Sequence, residues 1–252
     1  MTGRTDADAN ATPDEEVAAP ALAMRNVTKT YGDVTALSGV DLTVAPGTIH
    51  ALVGPNGSGK TTLFRIALGL TRPSSGTVDG PAGGIGPGFQ RANVYRDLSV
   101  AENLDVFGAM TGGVDEDWRE RLVETLRLSR VLNRRVGDLS GGFRQKLDLA
   151  LAMLARPPVV FLDEPLGDLD DVSRANLLDL LAAYRDDGNA VVVSTHHVDA
   201  FADVLDRLTV LRDGTVLLDE DRTDVDLGEH DSLQALYVAR TLAADGESAD
   251  LI

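Results

Sequence analysis

The segment GPNGSGKTT, Gly54 to Thr62, restricts this chain more than any other. It follows the apolar run IHALV and precedes TTLFRIALGL, so it reads as a buried strand, a glycine-rich turn and an amphipathic helix in succession. Gly54, Gly57 and Gly59 let successive backbone N–H groups turn toward a phosphate, with Pro55, Asn56, Ser58 and Thr62 completing the loop. The helix starting near Lys60 adds its positive end. Lys60 can reach the β and γ phosphates of a nucleotide, and the Thr61 hydroxyl is placed to ligate Mg²⁺. A tight glycine turn with no ligand is the bland alternative, and the elements that follow in order weigh against it.

VVFLDEP supplies the next element. Four apolar residues, Val159 to Leu162, end in Asp163, which leaves a carboxylate at the C-terminal edge of a buried strand, where open α/β sheets bind ligands. Asp163 can hold the Mg²⁺ shell, and Glu164, displaced from the metal, can orient and activate an attacking water. Taken alone, the two acids could also begin a surface turn. His196 ends a second apolar run, AVVVST, and can point into the same crevice or be satisfied by a nearby backbone carbonyl. His197 falls on the other face if that strand continues. A second glycine pair in LSGGFRQKLDLA, Leu139 to Ala150, opens a further helix, and Ser140, Gly141 and Gly142 form another anion-binding helix start. One nucleotide needs only one such cradle.

The rest of the chain fits an α/β class. Strand-like runs near Leu22 to Thr28, Thr35 to Val44 and Ile49 to Val53 are separated by Gly-Asp and Pro-Gly turns. GTVDGPAGGIGPGFQ allows only short strands and turns. Between about 90 and 137 the apolar spacing becomes helical, and DEDWRERLVETLRLSRVL reads as one helix of an inserted lobe at about 91–138. Afterwards α/β alternation resumes, with SRANLLDLLAAYRDDG and VDAFADVLDR as helices and LTVLRDGTVLLDE as a hairpin turning at Asp213-Gly214. Residues 1–20 read as a disordered acidic tail, 21–252 as the folded domain, and about 229–252 as a short helix and loose tail.

Composition narrows the partners. The 252 residues carry 40 Asp and Glu against 23 Lys and Arg, a formal net charge of -17, with lysine only at positions 29, 60 and 146. That field repels phosphate backbones, so no nucleic-acid partner is expected. Acids scattered along the chain suggest a surface adapted to a high-salt cytoplasm. Cysteine is absent, which removes disulfides and thiolate metal sites. No apolar run is long enough to span a bilayer, and the acidic start is unlike a signal peptide.

Taken in order, GPNGSGKTT, Gln90, LSGG, FLDEP and STH resemble the ATP-binding subunit of an ABC transporter over about residues 22–220. The resemblance implies a P-loop NTPase core of ABC ATPase type with an N-terminal antiparallel β subdomain and the inserted helical lobe. It implies ATP and Mg²⁺ as cofactors, Tyr31 stacking on adenine, and Gln90 bridging the lobe, the Mg²⁺ site and the membrane partner. Ser140, Gly141 and Gly142 become the signature loop, Asp170 the D-loop, and His196 the switch histidine on the γ phosphate. From its residues alone, Tyr31 is equally a turn residue. The signature loop implies a second copy of the chain, with two ATPs sandwiched head to tail, and the family adds an integral membrane permease. The expected location is therefore the cytoplasmic face of the membrane, as a peripheral subunit. The permease would dock beside RANVYRDLSVAEN, where Val94 and Tyr95 are either contact residues or core. The signature leans toward export. The competing reading is a soluble ATPase of the same superfamily acting on ribosomes or DNA-repair complexes. DEPLGDLDD departs from the usual DEPTxGLDP at Leu166, Asp168 and Asp171, which makes the D-loop region more acidic.

Overall fold

A computed structural model describes residues 19–244. Residues 1–18 of the acidic tail expected at 1–20, and 245–252 of the helix and tail expected at about 229–252, lie outside the described residues. Two sheets organise the chain. β1 (Leu22–Tyr31) pairs antiparallel with β2 (Val34–Val44) on one side and β4 (Ser75–Asp79) on the other. The second sheet has the order β5-β6-β7-β3-β8-β9, built from Ile85–Gly88, Val159–Asp163, Ala190–Thr195, Ile49–Val53, Arg207–Arg212 and Thr215–Asp221. Its first five strands are parallel, and β9 returns antiparallel through a turn with Asp213 at φ 46 and Gly214 at φ 76. Both central residues of that two-residue turn need positive φ, which is the reason the sequence has Asp-Gly there.

The central strands read as unbroken apolar runs because both of their faces are covered. On one face Ala51, Val160, Leu162, Val191 and Val193 pack beneath α4 (Gly141–Met153) and α5 (Asp171–Asp186). On the other, Leu52, Phe161 and Val192 meet the first sheet and α1 (Lys60–Ala67). Phe64 of α1 stands 4.6 Å from the Phe161 ring, and Phe161→Ala would cost about 3–5 kcal/mol.

The lobe contains α2 (Val100–Met110), begun by a reciprocal Ser99/Glu102 capping box, and α3 (Glu116–Thr125), capped by Asp115. It is pinned to the core by Trp118, whose indole N–H donates to Met153 O at 2.9 Å while its ring stacks on Tyr184 at 5.7 Å. The single helix expected through DEDWRERLVETLRLSRVL is broken. Arg127 takes φ 58, and a 3₁₀ turn follows at Leu128–Val131. Leu126 and Leu128 are both buried, yet in a continued helix they would point about 200° apart, so the break buries the two together.

VDAFADVLDR is a second correction: only a 3₁₀ turn at Val198–Phe201 forms. That turn aligns Val198 with Phe201, three residues on, and buries both. Asp206 is then anchored to β3 through its N–H to Ile49 O at 2.9 Å and its carboxylate to Ile49 N at 2.8 Å. The last described element, α6 (Leu233–Ala244), lies against this turn through Val198 N–H to Gln234 Oε1 at 3.1 Å.

Candidate active site at the sheet edge

β3 delivers the chain into Gly54, where a Cβ would lie 2.2 Å from Leu211 O and 2.5 Å from Ser58 Oγ. Gly59, at φ 107, caps α1 with no side-chain bond and is pressed by β2, where a Cβ would meet Leu37 Cδ2 at 2.7 Å. Gly54 is therefore fixed by close approach and Gly59 by both conformation and contact. Gly57 has open space beside it, Pro55 is half-buried, and Asn56 is exposed at the loop's crest. Lys60 Nζ donates to Gly54 O at 2.5 Å and Pro55 O at 3.2 Å. Burial lowers its pKa, while Glu164 and Asp163 act to raise it. Thr61 is exposed at the helix start, Thr62 is half-buried, and Ser58 Oγ is buried with no hydrogen-bond partner among the described residues.

β6 and β7, the next strands in the sheet, bring the acids and the histidine. Asp163 accepts Ser194 Oγ–H at 2.8 Å, and burial raises its pKa. Glu164 turns out of the strand at φ 50, a left-handed conformation that costs a non-glycine residue about 1 kcal/mol. The turn places Glu164 Oε1 2.6 Å from His196 Nδ1, while Oε2 accepts Thr195 Oγ1–H at 3.3 Å. β7 ends at Thr195, so His197 does not fall on an opposite face as strand continuation would require. Its ring lies 3.9 Å from that of His196. Gln90, just past β5, is exposed and shares an 830 Å³ cleft with Glu164, Asp168 and His196.

Tyr31 stands 46% exposed at the turn end of the β1–β2 hairpin, paired with Val34, with Lys29 Nζ 4.9 Å from its ring centroid. The same hairpin supplies Ala36 and Leu37 to Gly59, with Tyr31 beyond them at its turn end.

The second glycine pair is built differently. Ser140 caps α4, its Oγ accepting Phe143 N–H at 3.4 Å. A Cβ on Gly142 would meet Asp168 O at 2.8 Å, and one on Gly141 would meet Asp168 Oδ2 at 3.2 Å. Ser140 and Gly142 border a 380 Å³ hollow together with Arg127, Arg130, Lys146 and Asp170, and no residue of the 54–62 loop lines it. The Asp170 carboxylate caps α5, accepting Ser173 N–H at 2.9 Å and Ser173 Oγ–H at 2.7 Å, and those bonds hold its pKa down at about 2. Lys146 Nζ lies 3.7 Å from it. Sequence reasoning passed over Arg127, Arg130 and Asp148, and noted Asp168 only as an added acid near the D-loop, not as a neighbour of Gly141 and Gly142. An acid interrupting the apolar stretch LDLALAML was the available signal for Asp148, and nothing local marked the others.

The ABC transporter family matches residues 37–167. A Nod factor export ATP-binding protein of Cupriavidus metallidurans is 36% identical over 77% of this chain and 68% of its own length. A ribose import ATP-binding protein of Rubrobacter xylanophilus is 34% identical over 88% of this chain, which spans only 48% of that relative. A daunorubicin resistance ATP-binding protein of Streptomyces coeruleorubidus is 35% identical over 87% of this chain and 76% of its own length. Among solved structures, an ATP-binding subunit of an ABC transporter superposes with TM-score 0.80 at 27% identity, covering 87% of this chain and 99% of its own. A dimeric cassette in a post-hydrolysis state with ADP and Pi gives 0.70 at 29% identity, covering 80% of this chain and 98% of its own.

Proposed function

The chain belongs to the ABC transporter family of ATP-hydrolysing, ATP-binding subunits, and from that membership we propose that it closes head to tail on a second copy around two ATPs and drives a separate membrane permease. The observation that carries the catalytic part is the Glu164–His196 contact of 2.6 Å beside Asp163, on the same strand ends as the glycine loop.

The residues suit the substrate. The tight glycines leave no room for Cβ atoms, and the loop's N–H groups and the α1 start suit phosphates. Lys60 exchanges its carbonyl partners for the β and γ phosphates. Glu164 draws a proton from water as the water oxygen bonds to the γ phosphorus and the bond to the bridging oxygen breaks, leaving ADP and phosphate. His196 steadies that carboxylate and faces the γ phosphate, Tyr31 stacks on adenine, and Asp170 stands in the D-loop. No three His, Cys, Asp or Glu side chains converge as a metal site among the described residues, so Mg²⁺ would be held by Thr61, Asp163 and Gln90 together with the phosphates. When bound, the ion neutralises charge on the transferring group.

The hollow at Ser140, which the chain's own loop does not reach, supports a nucleotide presented by a second copy, as does the dimeric cassette with ADP and Pi. Among the described residues no helix is long and apolar enough to cross a membrane, in keeping with a separate permease docking near exposed Tyr95 and half-buried Val94. Export is favoured by the signature segment LSGGFRQKL, which resembles those of export systems. The acid excess favours assembly in high salt, where repulsion between copies is screened.

Glu164→Gln tests the reading. Hydrolysis should fall by about 10²- to 10⁴-fold with ATP still bound, and sedimentation should find an ATP-dependent dimer whose fraction rises with potassium chloride. A monomer at every salt concentration would overturn the sandwich, and unchanged hydrolysis would overturn the role of Glu164. Co-purification of a polytopic membrane protein from solubilised native membranes tests the permease.

A further inference from the structure

Two turns beyond Ser140, α4 carries Asp148, which is 2% exposed among the fully buried Leu147, Leu149 and Ala150. Its Oδ2 accepts Phe89 N–H at 2.8 Å, and its Oδ1 accepts Asn93 N–H at 2.7 Å. Those two amides bracket Gln90, Arg91 and Ala92, so both ends of the loop that presents Gln90 are fastened to one side chain. A buried carboxylate is costly to desolvate, and here burial pushes the acid up to about 6 against the pull of both amides. Packing alone would be served by an alanine or leucine. What the carboxylate adds is two strong, directional bonds between α4 and the loop after β5.

We propose that Asp148 is a positioning residue that couples the helix begun by Ser140 to Gln90. As α4 shifts, the amides of Phe89 and Asn93 shift with it, and Gln90 moves in the cleft that holds Glu164 and His196. A second copy engaging Ser140 is thereby felt at the hydrolytic centre through one side chain. The proposal rests on the ATPase reading above.

The test is a double-mutant cycle of Asp148→Asn with Gln90→Ala, measuring turnover per folded molecule and affinity for a fluorescent ATP analogue. Asparagine keeps the shape but sets an amide N–H against a backbone N–H. With Gln90 present, Asp148→Asn should lower kcat about tenfold with affinity unchanged within about twofold, and in the Gln90→Ala background it should cost less than about twofold more. An unchanged kcat, or the same loss in both backgrounds, overturns the coupling. So does a loss fully explained by a smaller folded fraction. If the asparagine variant does not fold, Asp148→Glu is put through the same cycle, since a 200 Å³ cavity lined in part by Asp148 accepts the extra methylene. A parent protein with no turnover overturns the ATPase reading and this proposal with it, whereas a parent that turns over isolates the coupling.

Discussion

The two glycine-bearing helix starts, at Gly54–Lys60 and at Ser140–Gly142, resemble each other in sequence and differ in construction. The first relies on backbone conformation: positive φ at Gly57 and Gly59, no side-chain cap on α1, and a lysine folded back on the loop's own carbonyls. The second has an ordinary serine cap, and its glycines are needed because Asp168 crosses within 2.8 Å of where a Cβ would stand. One loop is a cradle closed by its own chain. The other is a helix end held open by packing, beside a hollow with three cationic residues. Glycine thus answers to positive φ and close approach together in the first loop, and to close approach alone in the second.

The sharpest way to break this contrast is to remove one function at each loop. Lys60→Ala should lower hydrolysis at least about 10²-fold and weaken ATP binding to the isolated subunit. Ser140→Arg, placed in the Glu164→Gln protein, should abolish the ATP-dependent dimer while leaving monomer affinity within about twofold. If Ser140→Arg weakens monomer binding as Lys60→Ala does, the second loop serves its own subunit's nucleotide.

Acid should act on the strand behind the first loop. His50 on β3 is fully buried, with Nε2 2.6 Å from Thr209 Oγ1 and Nδ1 without a partner among the described residues. Thr209 donates onward to Asp219 at 2.7 Å, so the threonine oxygen accepts from the imidazole and a second proton on Nδ1 has no acceptor. Burial lowers the His50 pKa from 6.5 to about 4. Between those values the unfolded chain binds more protons, so this group's contribution falls as pH drops through the window, by up to about 3 kcal/mol, and is level below it. Asp148, raised to about 6, works in the opposite direction over part of that range. The contribution is therefore read as the difference between parent and His50→Gln in denaturant midpoints at several pH values. Parallel curves would remove the His50 effect.

Smaller effects should appear at the second loop. Gly142→Ala drives a methyl against Asp168 O and should cost about 1–3 kcal/mol of stability, with the ATP-trapped dimer weakened as the 166–170 strip shifts. An alanine protein of parental stability and dimer strength would show that the close approach relaxes freely. Asp170→Ala removes the α5 cap and should lower the denaturant midpoint slightly, a contribution lost in the parent too as pH falls toward about 2. Its depressed pKa means the folded carboxylate resists protonation, so the bond is present above the unfolded value near 3.8 and disappears below the folded one.

Most of the fold was legible because its signals are local. GPNGSGKTT between an apolar strand and an amphipathic helix, Asp163 closing VVFLD, and Asp-Gly at 213–214 each state a conformation within a few residues. The errors fell where tertiary burial overruled periodicity. Leu126 and Leu128 carry helix-like neighbours, yet the lobe buries them together and forces Arg127 left-handed. Val198, Phe201 and Leu205 have helical spacing, yet anchoring Asp206 to Ile49 shortens the segment to a 3₁₀ turn. Asp168 and Asp148 were illegible as contacts because their partners lie far off in sequence, across the packed faces of α4.

The sequence by itself determined which chemical groups the chain carries and the order in which short-range rules place them: the phosphate loop, the acid pair, the histidine and the serine-glycine helix start. Spacing along one segment settles whether an N–H can turn or a carboxylate can end a strand, since those choices depend on φ, ψ and the neighbouring residue. The tertiary structure alone decided what those groups face. It set Glu164 2.6 Å from His196, laid Asp168 across Gly142, gave the Asp170 carboxylate to a helix cap, and fastened both ends of the Gln90 loop to Asp148. Each of these depends on where two distant strands or helices pack, and that is fixed by burying the apolar faces of the whole sheet at once rather than by any local preference.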